Sequence, residues 1–486
     1  MENEETLDPA DWESLRILGH KMLDDMLNYL RDIREQPVWQ PIPNDVKLKF
    51  NLPLPTKGQR REEIYNEFKK DILPYPLGNI HPRFWGWVVG TGTPFGILAE
   101  MLAATMNPNV VGGEHIANYV EAQVLEWTKK MLGYDPNASG ILVSGASMAN
   151  FIGLTVARNT KTDYNVIEEG IRASKKNLII YGSIEMHSSI DKTIQLLGLG
   201  TKSLRKIPVN ENFEIHVEKL RESIEADNKS GYKPICIIGN AGTVNTGAID
   251  DLNMLAEIAR EYNLWFHVDA AFGVWCKLST RSNKLVEGIE QADSIAFDYH
   301  KWLYLNYEAG CVLVRNKKEH LNAFNFSADY ATHHERGTGS GDIWYDYYGI
   351  QLSRGFRALK IWMSIKENGS EKYGRLIEQN IQQARYLTNL IEQEQKLEML
   401  APTILNIVNF RYNDGTTDLD MLNKMNKEIL FQLQEKGIAV PSNTMLNGNF
   451  AIRVAITNHR SKREDFEMLI SSILDIAQSL DKKVVI

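Results

Sequence analysis

The chain has 486 residues, 43% of them hydrophobic, and a formal net charge of −8 at pH 7. This length is enough to bury a large core in two or three domains. The negative charge argues against nucleic acid or an anionic membrane as the main partner. Residues 1–6 are acidic and lack the apolar core of a signal peptide, and no apolar stretch is long enough to span a bilayer, so we expect a cytoplasmic protein.

Residues 1–80 predict a helical segment that packs on another surface. Apolar side chains recur at helical spacing from Trp12 to Tyr29, a proline-rich stretch covers residues 37–55, and a second short helix follows. An apolar face on so extended a segment requires a partner surface.

Residues 81–365 predict a large α/β domain. Short apolar runs alternate with helical stretches, and these runs cover residues 141–143, 178–180, 235–238, 265–268, 295–297 and 311–314. Apolar strands separated by helices favour a mainly parallel sheet covered on both faces. The cysteines lie in or beside such apolar segments and predict reduced core thiols, and no histidine spacing predicts a metal site.

A turn of small residues, 144–150, follows the apolar run 141–143 and precedes a helical stretch. Small side chains let an anion approach the backbone N–H groups at the start of a helix. The hydroxyls of Ser144 and Ser147 would add two donors. The turn therefore predicts a phosphate site, although such turns also occur without any ligand.

Polar side chains that can do chemistry follow three other runs. His187 follows the run 178–180, Asp269 follows 265–268, and Lys301 follows 295–297 with His300 beside it. A lysine can hold an aldehyde as an imine, and a carboxylate can keep a pyridine nitrogen protonated. Any one of these residues alone would more often be a surface group or a helix cap. Together with the phosphate turn they indicate pyridoxal 5′-phosphate.

The remaining segments predict a loop and a smaller domain. Residues 333–342 contain three alternating glycines and no apolar periodicity, which is typical of a mobile loop, and Tyr330 lies just before them. Residues 366–486 alternate helices with strand-like runs and predict a small α+β domain.

The chain resembles the group II pyridoxal-phosphate decarboxylases, the aromatic L-amino-acid decarboxylase family of fold type I. The resemblance runs from about residue 10 to the C-terminus and depends on these motifs: His81-Pro82-Arg83-Phe84, Ala146-Ser147-Met148-Ala149, Met186-His187-Ser188-Ser189, Gly242-Thr243, Val268-Asp269-Ala270-Ala271, His300-Lys301-Trp302 and Arg354-Gly355-Phe356-Arg357. It implies a mainly parallel seven-stranded sheet between helices, a helical N-terminal segment that wraps a second subunit, and decarboxylation of an L-amino acid in a homodimer.

The resemblance also implies roles for single residues. Lys301 would bind the cofactor aldehyde, Asp269 would pair with its ring nitrogen, and Ala271 and His187 would pack on the two ring faces. Tyr330, on a loop from the neighbouring subunit, would return a proton to the substrate carbon after carbon dioxide leaves. The remaining cofactor contacts would come from Ala146, Ser147, His300 and Thr243.

Several positions depart from the animal members of the family. Asp298 stands where those enzymes have asparagine, and a carboxylate near a phosphate is repulsive unless it is protonated, turned away or paired. Trp87 stands in place of a tyrosine and is a candidate wall for an aromatic substrate. Asn109, with Asn107, falls where relatives place apolar side chains against the substrate and makes the pocket more polar.

These departures leave alternatives open. An aromatic amino acid (tryptophan, tyrosine, phenylalanine or dihydroxyphenylalanine) is the first candidate substrate, and a polar or acidic amino acid is the second. Aldehyde synthesis and transamination are alternative reactions of the same cofactor, and a cofactor-holding protein without catalysis is a further alternative. Relatives with phenylalanine at the position of Tyr330 favour aldehyde formation, so the tyrosine favours simple decarboxylation to an amine.

Overall fold

The computed structural model describes residues 4–324 and 334–484. In these ranges the strands are β1 (Phe84–Trp85), β2 (Ser139–Val143), β3 (Leu178–Ser183), β4 (Leu204–Ile207), β5 (Lys233–Asn240), β6 (Trp265–Asp269), β7 (Ser294–Asp298), β8 (Gly310–Val314), β9 (Leu397–Met399), β10 (Ile407–Tyr412), β11 (Val440–Leu446) and β12 (Asn449–Ala455). The α-helices are α1 (Trp12–Arg31), α2 (Asn44–Lys49), α3 (Arg61–Glu67), α4 (Pro94–Met106), α5 (Ile116–Leu132), α6 (Ala146–Lys161), α7 (Val166–Glu169), α8 (Ser189–Leu196), α9 (Val217–Lys229), α10 (Leu252–Glu261), α11 (Lys317–Phe324), α12 (Arg357–Gln393), α13 (Leu419–Glu435) and α14 (Arg463–Val484).

The larger sheet has seven strands in the order β2-β8-β7-β6-β5-β3-β4. All neighbouring strands are parallel except β8, which is antiparallel to both β2 and β7. Helix α6 packs across β6, β7 and β8 on one face of the sheet. The predicted mainly parallel seven-stranded α/β fold is confirmed, and the six apolar runs are six of its seven strands.

A second sheet has five strands in the order β1-β11-β12-β10-β9. Helices α12, α13 and α14 pack on this sheet and share a separate apolar core with it. Its edge strand β1 pairs in parallel with β11, through Phe84 with Val440 and Trp85 with Pro441. Residues 84–85 therefore join a sheet whose other strands come from the C-terminal part of the chain.

Helix α12 connects the two layers. It contacts α4 and α5 beside the large sheet and also β9 and β10 of the second sheet. The backbone is non-helical at Gly369, with φ 68° and ψ 157°, which is a conformation that favours glycine. The second boundary of the predicted domain division, at residue 365, falls within α12, and the division at residues 80 and 365 stays a prediction.

The N-terminal segment is attached at several points and leaves much apolar surface exposed. The hydroxyl of Tyr65 donates to Asp25 at 2.8 Å, which joins α3 to α1, and Arg34 pairs with Asp465 of α14 at 2.6 Å. Large apolar side chains in the first 80 residues that remain exposed in the single chain include Trp12, Ile17, Leu48, Phe50, Leu52 and Leu54. Among the helices of residues 4–324 and 334–484, none is both long enough and apolar enough to cross a membrane.

Candidate active site

A cavity of about 470 Å³ lies at the carboxyl ends of the strands of the large sheet. Ser144 follows β2, His187 follows β3, Asp269 ends β6, and Lys301 lies three residues beyond β7. Ligands of open α/β sheets bind at this edge. The cavity is lined by Trp87, Val88, Ser144, Gly145, Ala146, Ser147, Asn150, His187, Ser189, Asn240, Gly242, Thr243, Val244, Asp269, Ala271, Phe272, Asp298, His300, Lys301, Tyr307 and Glu308.

Lys301 forms an ion pair inside this cavity. Its Nζ lies 2.9 Å from Oδ2 of Asp298, while Oδ1 of the same carboxylate accepts the N–H of Ala146 at 2.6 Å. Burial by itself would lower the pKa of Lys301, but the charge and hydrogen bond of Asp298 outweigh it and raise that pKa. Of the three options that the sequence left for Asp298, the structure shows the paired one.

Asp269 is buried and held by neutral donors. Oδ2 accepts from the side-chain amide of Asn150 at 2.9 Å, and Oδ1 accepts from the N–H of Ala271 at 3.2 Å. Burial raises the pKa of Asp269, and the Asn150 hydrogen bond and the charge of Lys301 partly oppose that rise. No cation lies within ion-pair distance of Asp269 in the described residues. A protonated pyridine nitrogen would supply that counter-charge, so this end of the cavity fits the ring of pyridoxal 5′-phosphate.

Asn150 connects Asp269 to a buried chain of hydrogen bonds. Its Oδ1 lies 2.9 Å from Nε2 of His267, whose Nδ1 lies 2.7 Å from the hydroxyl of Ser294. Burial lowers the pKa of His267 to about 3, so the ring is neutral. Its proton is on Nε2, because Oδ1 of Asn150 can only accept. Gly153 allows this packing, because a Cβ at that position would lie 2.8 Å from the His267 ring. The network fixes the Asp269 carboxylate from behind the cavity.

His187 is oriented by the start of α8. Its Nδ1 accepts the N–H of Ser189 at 3.2 Å and lies 2.9 Å from the Ser189 hydroxyl. Since Nδ1 is an acceptor, the proton of the neutral ring is on Nε2. Burial lowers the pKa of His187, which keeps the ring neutral at pH 7.

The start of α6 forms the opposite end of the cavity. The first N–H groups of a helix have no partner within the helix, and here the N–H of Ala146 is taken by Asp298. Ser144 and Ser147 line the cavity at this point, and their hydroxyls have no protein partner in the described residues. Unpaired donors at a helix N-terminus fit a phosphate group. Both ends of the cavity therefore suit the predicted cofactor.

Two other predicted cofactor contacts also line the cavity. The hydroxyl of Thr243 accepts the N–H of Ala248 at 3.1 Å, which fixes the turn after β5. Nδ1 of His300 accepts the N–H of Ala309 at 3.0 Å, and the Tyr307 ring lies 4.2 Å from the His300 ring between centroids. Every cofactor residue expected from the resemblance thus borders this one cavity.

Trp87 lies at the mouth of the cavity and is held by the second sheet. Its backbone N–H donates to the Ser442 hydroxyl at 3.1 Å, and its carbonyl accepts from Arg453 at 2.9 Å. The residue has φ 50°, which is uncommon for a non-glycine residue. The residue is 55% exposed, so it is not part of a core, and its role as a wall for the substrate stays a prediction.

Two predicted site residues, Asn109 and Tyr330, are not among the described residues that line this cavity. Oδ1 of Asn109 accepts the backbone N–H of Arg354 at 2.9 Å, and Asn109 does not line the cavity of its own chain. Tyr330 lies outside the described residues. A role for either residue in a partner's site stays a prediction.

A larger cavity, of about 840 Å³, lies between α5 and α12. It is lined by surface residues such as Lys130 and Arg281, and it contains none of the predicted site residues. The smaller cavity is therefore the candidate active site.

The sequence interpretation did not assign functional roles to several residues of the site. Asn150 stands at the end of the phosphate turn, and its spacing of four residues from Ala146 places the two on one helix face, which is a usable signal. Tyr307 and Glu308 line the cavity, but the segment after Lys301 carries no pattern that indicates this.

Comparisons with known proteins agree with this geometry. The pyridoxal-dependent decarboxylase conserved domain matches residues 43–413. An aromatic-L-amino-acid decarboxylase from Bacillus atrophaeus is 31% identical over 472 residues, covering 96% of each chain. A phenylacetaldehyde synthase from Petunia hybrida is 27% identical over 469 residues, covering 93% of this chain and 91% of that protein.

The fold has the same relatives. The crystal structure of Oryza sativa TDC with PLP and tryptamine superposes with a TM-score of 0.89 at 21% identity, covering 98% of this chain and 100% of that one. With the domain match and the Bacillus relative, the resemblance seen in the motifs is confirmed. The chain belongs to the pyridoxal-dependent decarboxylases, carboxy-lyases that use pyridoxal 5′-phosphate to remove carbon dioxide from an amino acid.

Proposed function

We propose that this enzyme decarboxylates an aromatic L-amino acid to its amine, with tryptophan, tyrosine, phenylalanine and dihydroxyphenylalanine as candidate substrates. The observation that carries the proposal is that Lys301, Asp269 and His187 share one cavity with the exposed indole of Trp87. An exposed aromatic wall stacks on an aromatic substrate. The name of the Bacillus atrophaeus relative supports the same substrate class.

Each side chain has a defined task in this proposal. Pyridoxal 5′-phosphate, when bound, supplies the electron sink for the bond to the departing carbon dioxide. Lys301 holds the cofactor aldehyde, Asp269 keeps the proton on the ring nitrogen, and the start of α6 with Ser144 and Ser147 binds the phosphate. His187 packs on the ring and offers its Nε2–H to the substrate carboxylate.

An acidic substrate is the weaker alternative. The basic side chains that line the cavity in the described part of the chain are Lys301, His187 and His300, and each is committed to the cofactor in this proposal. Glu308 also lines the cavity and would repel a second carboxylate. The asparagines that suggested a more polar pocket do not border the cavity of their own chain.

We further propose that the enzyme is a cytoplasmic homodimer in which Tyr330 of one subunit acts in the site of the other. The exposed apolar side chains of the N-terminal segment support the dimer, since such surface on a single chain marks an interface. Replacing Phe50 and Leu54 together by aspartate should give a monomer in analytical ultracentrifugation, with little activity. A double variant that sediments as the wild type would place the interface elsewhere.

The test of the reaction is carbon dioxide release from a panel of all proteinogenic amino acids plus dihydroxyphenylalanine and 2,4-diaminobutyrate. Lys301→Ala is the control and should release none. Release from aromatic substrates alone supports the proposal, and preferential release from an acidic or diamino substrate refutes it. Ammonia and peroxide are measured in the same tubes, since their formation would indicate aldehyde synthesis, and oxo-acid-dependent turnover would indicate transamination.

A further inference from the structure

Asp298 places a negative charge at the phosphate end of the cavity. One oxygen takes the N–H of Ala146, the first of α6, and the other takes the ammonium of Lys301. The residue is only 1% exposed, and its carbonyl is fixed by the indole N–H of Trp275 at 2.7 Å. We call Ser144, Ser147 and the first N–H groups of α6 the phosphate cradle. Asp298 is held rigidly beside this cradle and occupies one of its donors, the N–H of Ala146.

The surroundings of Asp298 contain few positive charges. Five titratable groups face it: Lys301, His300 and Tyr307 in the segment after β7, His187 before α8, and Cys311 in β8. The charge of Lys360 in α12 also acts on His300 and lowers its pKa. Burial lowers the pKa of both His187 and His300, so both imidazoles are neutral at pH 7. Of these five groups, Lys301 alone is a cation, and it neutralises Asp298 while the lysine stays at this end of the cavity.

Cofactor binding changes this balance. The phosphate brings close to two negative charges to the cradle, and Lys301 must move to the cofactor aldehyde, which it is proposed to hold. Asp298 then loses its counter-ion and gains an anionic neighbour. Nε2 of His300 lies 3.8 Å from Oδ2 of Asp298, and it carries the ring proton because Nδ1 accepts the N–H of Ala309. His300 is thus the nearest group that can replace the lysine.

We propose that Asp298 is a positioning residue that holds Lys301 in the cofactor-free protein, exchanges it for His300 when the cofactor binds, and limits the affinity for the cofactor phosphate by its charge. The inference rests on the proposed role of Lys301 as the cofactor amine, but it makes no use of the substrate. The negative charge of Asp298 weakens cofactor binding in this chain.

The first test uses pyridoxine 5′-phosphate, which has the ring and phosphate but no aldehyde, so that Lys301 cannot react. Titration calorimetry of the apoprotein compares the wild type with Asp298→Asn, which keeps an oxygen for the N–H of Ala146. Removing the negative charge should tighten binding by about tenfold or more. Glu308→Gln, which removes a negative charge from a half-exposed side chain of the same cavity, should change binding by less than about twofold.

Pyridoxine, which lacks the phosphate, shows whether the charge of Asp298 acts on the phosphate or on the ring. Its affinity should be the same for the wild type and Asp298→Asn within about twofold, because the opposing charge acts on the phosphate. Equal affinity of the two folded proteins for pyridoxine 5′-phosphate would overturn the proposal. A gain that persists with pyridoxine would also overturn it, since the charge would then act on the ring.

A second measurement tests the exchange of Lys301 for His300. Pyridoxal 5′-phosphate binding is measured at pH 8 in buffers of different ionisation enthalpy, which gives the number of protons taken up. Protonation changes at the Lys301 amine and at the ring nitrogen occur in the wild type and in Asp298→Asn, so the difference between the two proteins reports the proton taken up by His300 between Asp298 and the phosphate. The wild type should take up more protons than Asp298→Asn. Equal uptake by the two folded proteins would refute the exchange, and none of these readouts depends on decarboxylation.

Discussion

Replacement of Asn150 by alanine should destabilise the protein although this residue has no charge. The amide supports two buried groups, the Asp269 carboxylate at 2.9 Å and Nε2 of His267 at 2.9 Å. Each group would lose a partner, and a buried polar group without a partner costs about 1–3 kcal/mol. We therefore expect the free energy of unfolding of the apoprotein to fall by about 2–4 kcal/mol in Asn150→Ala.

Urea denaturation followed by tryptophan fluorescence, at one fixed protein concentration, measures this change. Asn159→Ala on the same helix is the matched control. Within the described residues the side chain of Asn159 accepts only from its neighbour Arg158, so its loss should cost less than about 0.5 kcal/mol. Activity should fall only in Asn150→Ala, because Asp269, the proposed partner of the cofactor ring nitrogen, is no longer held in place. Equal stability of the two variants would refute the view that Asn150 supports the Asp269 carboxylate.

Three other perturbations have defined outcomes. Burial lowers the pKa of His320 to about 4, so the neutral ring stabilises the fold above the ordinary pKa of 6.5, and this stability is lost as the pH falls toward 4. The wild type should therefore lose more unfolding free energy between pH 7 and pH 5 than His320→Gln, by about 2 kcal/mol. Arg354 and Glu121 form a buried ion pair at 2.5 Å, so Arg354→Met should cost about 3–5 kcal/mol in urea denaturation, and adding Glu121→Gln should restore part of it. A Cβ at Gly310 would lie 2.5 Å from Cα of Gly145 in the phosphate cradle, so Gly310→Ala should weaken cofactor binding by about tenfold or more in an absorbance titration.

Each of these outcomes can fail in a distinct way. An unchanged pH slope in His320→Gln would mean that the pKa of this histidine is the same in the folded and unfolded protein. Equal instability of Arg354→Met with and without the second substitution would mean that the lost charge partner is not the cause. Gly19 has no neighbour within 4 Å of a built Cβ, so a loss of cofactor affinity in Gly19→Ala as large as that in Gly310→Ala would contradict the steric argument.

The large sheet could be predicted from the sequence because of where its strands lie. Strands such as β2, β5 and β7 are covered on both faces, and a strand buried on both sides appears as an uninterrupted apolar run. The site followed from the same fact, since polar residues directly after such runs gather at one edge of a parallel sheet. Lys301, Asp269 and His187 could therefore be grouped from the sequence alone.

Other elements could not be predicted from the sequence, for physical reasons. Strand β4 is an edge strand with two half-open or exposed positions among four, so no apolar run marks it. Strand β1 has two residues and exists because β11, about 350 residues later, pairs with it. The role of Asn150 depends on the packing of α6 against β6, and the partner of Asp298 depends on the start of α6. Contacts between distant parts of the chain leave no local pattern to find.

The attachment of Trp87 to the second sheet has a consequence for how such enzymes diversify. The groups proposed to hold the cofactor lie on the large sheet, whereas the Trp87 backbone is tied to Ser442 and Arg453 of β11 and β12. If Trp87 is the substrate wall proposed above, substitutions behind it would reshape the substrate side without touching the lysine, the carboxylate or the phosphate-binding residues. Natural selection and directed evolution could then alter the choice of amino acid on one scaffold while the cofactor chemistry stays the same. A library for new substrates is best built on the second sheet rather than around Lys301.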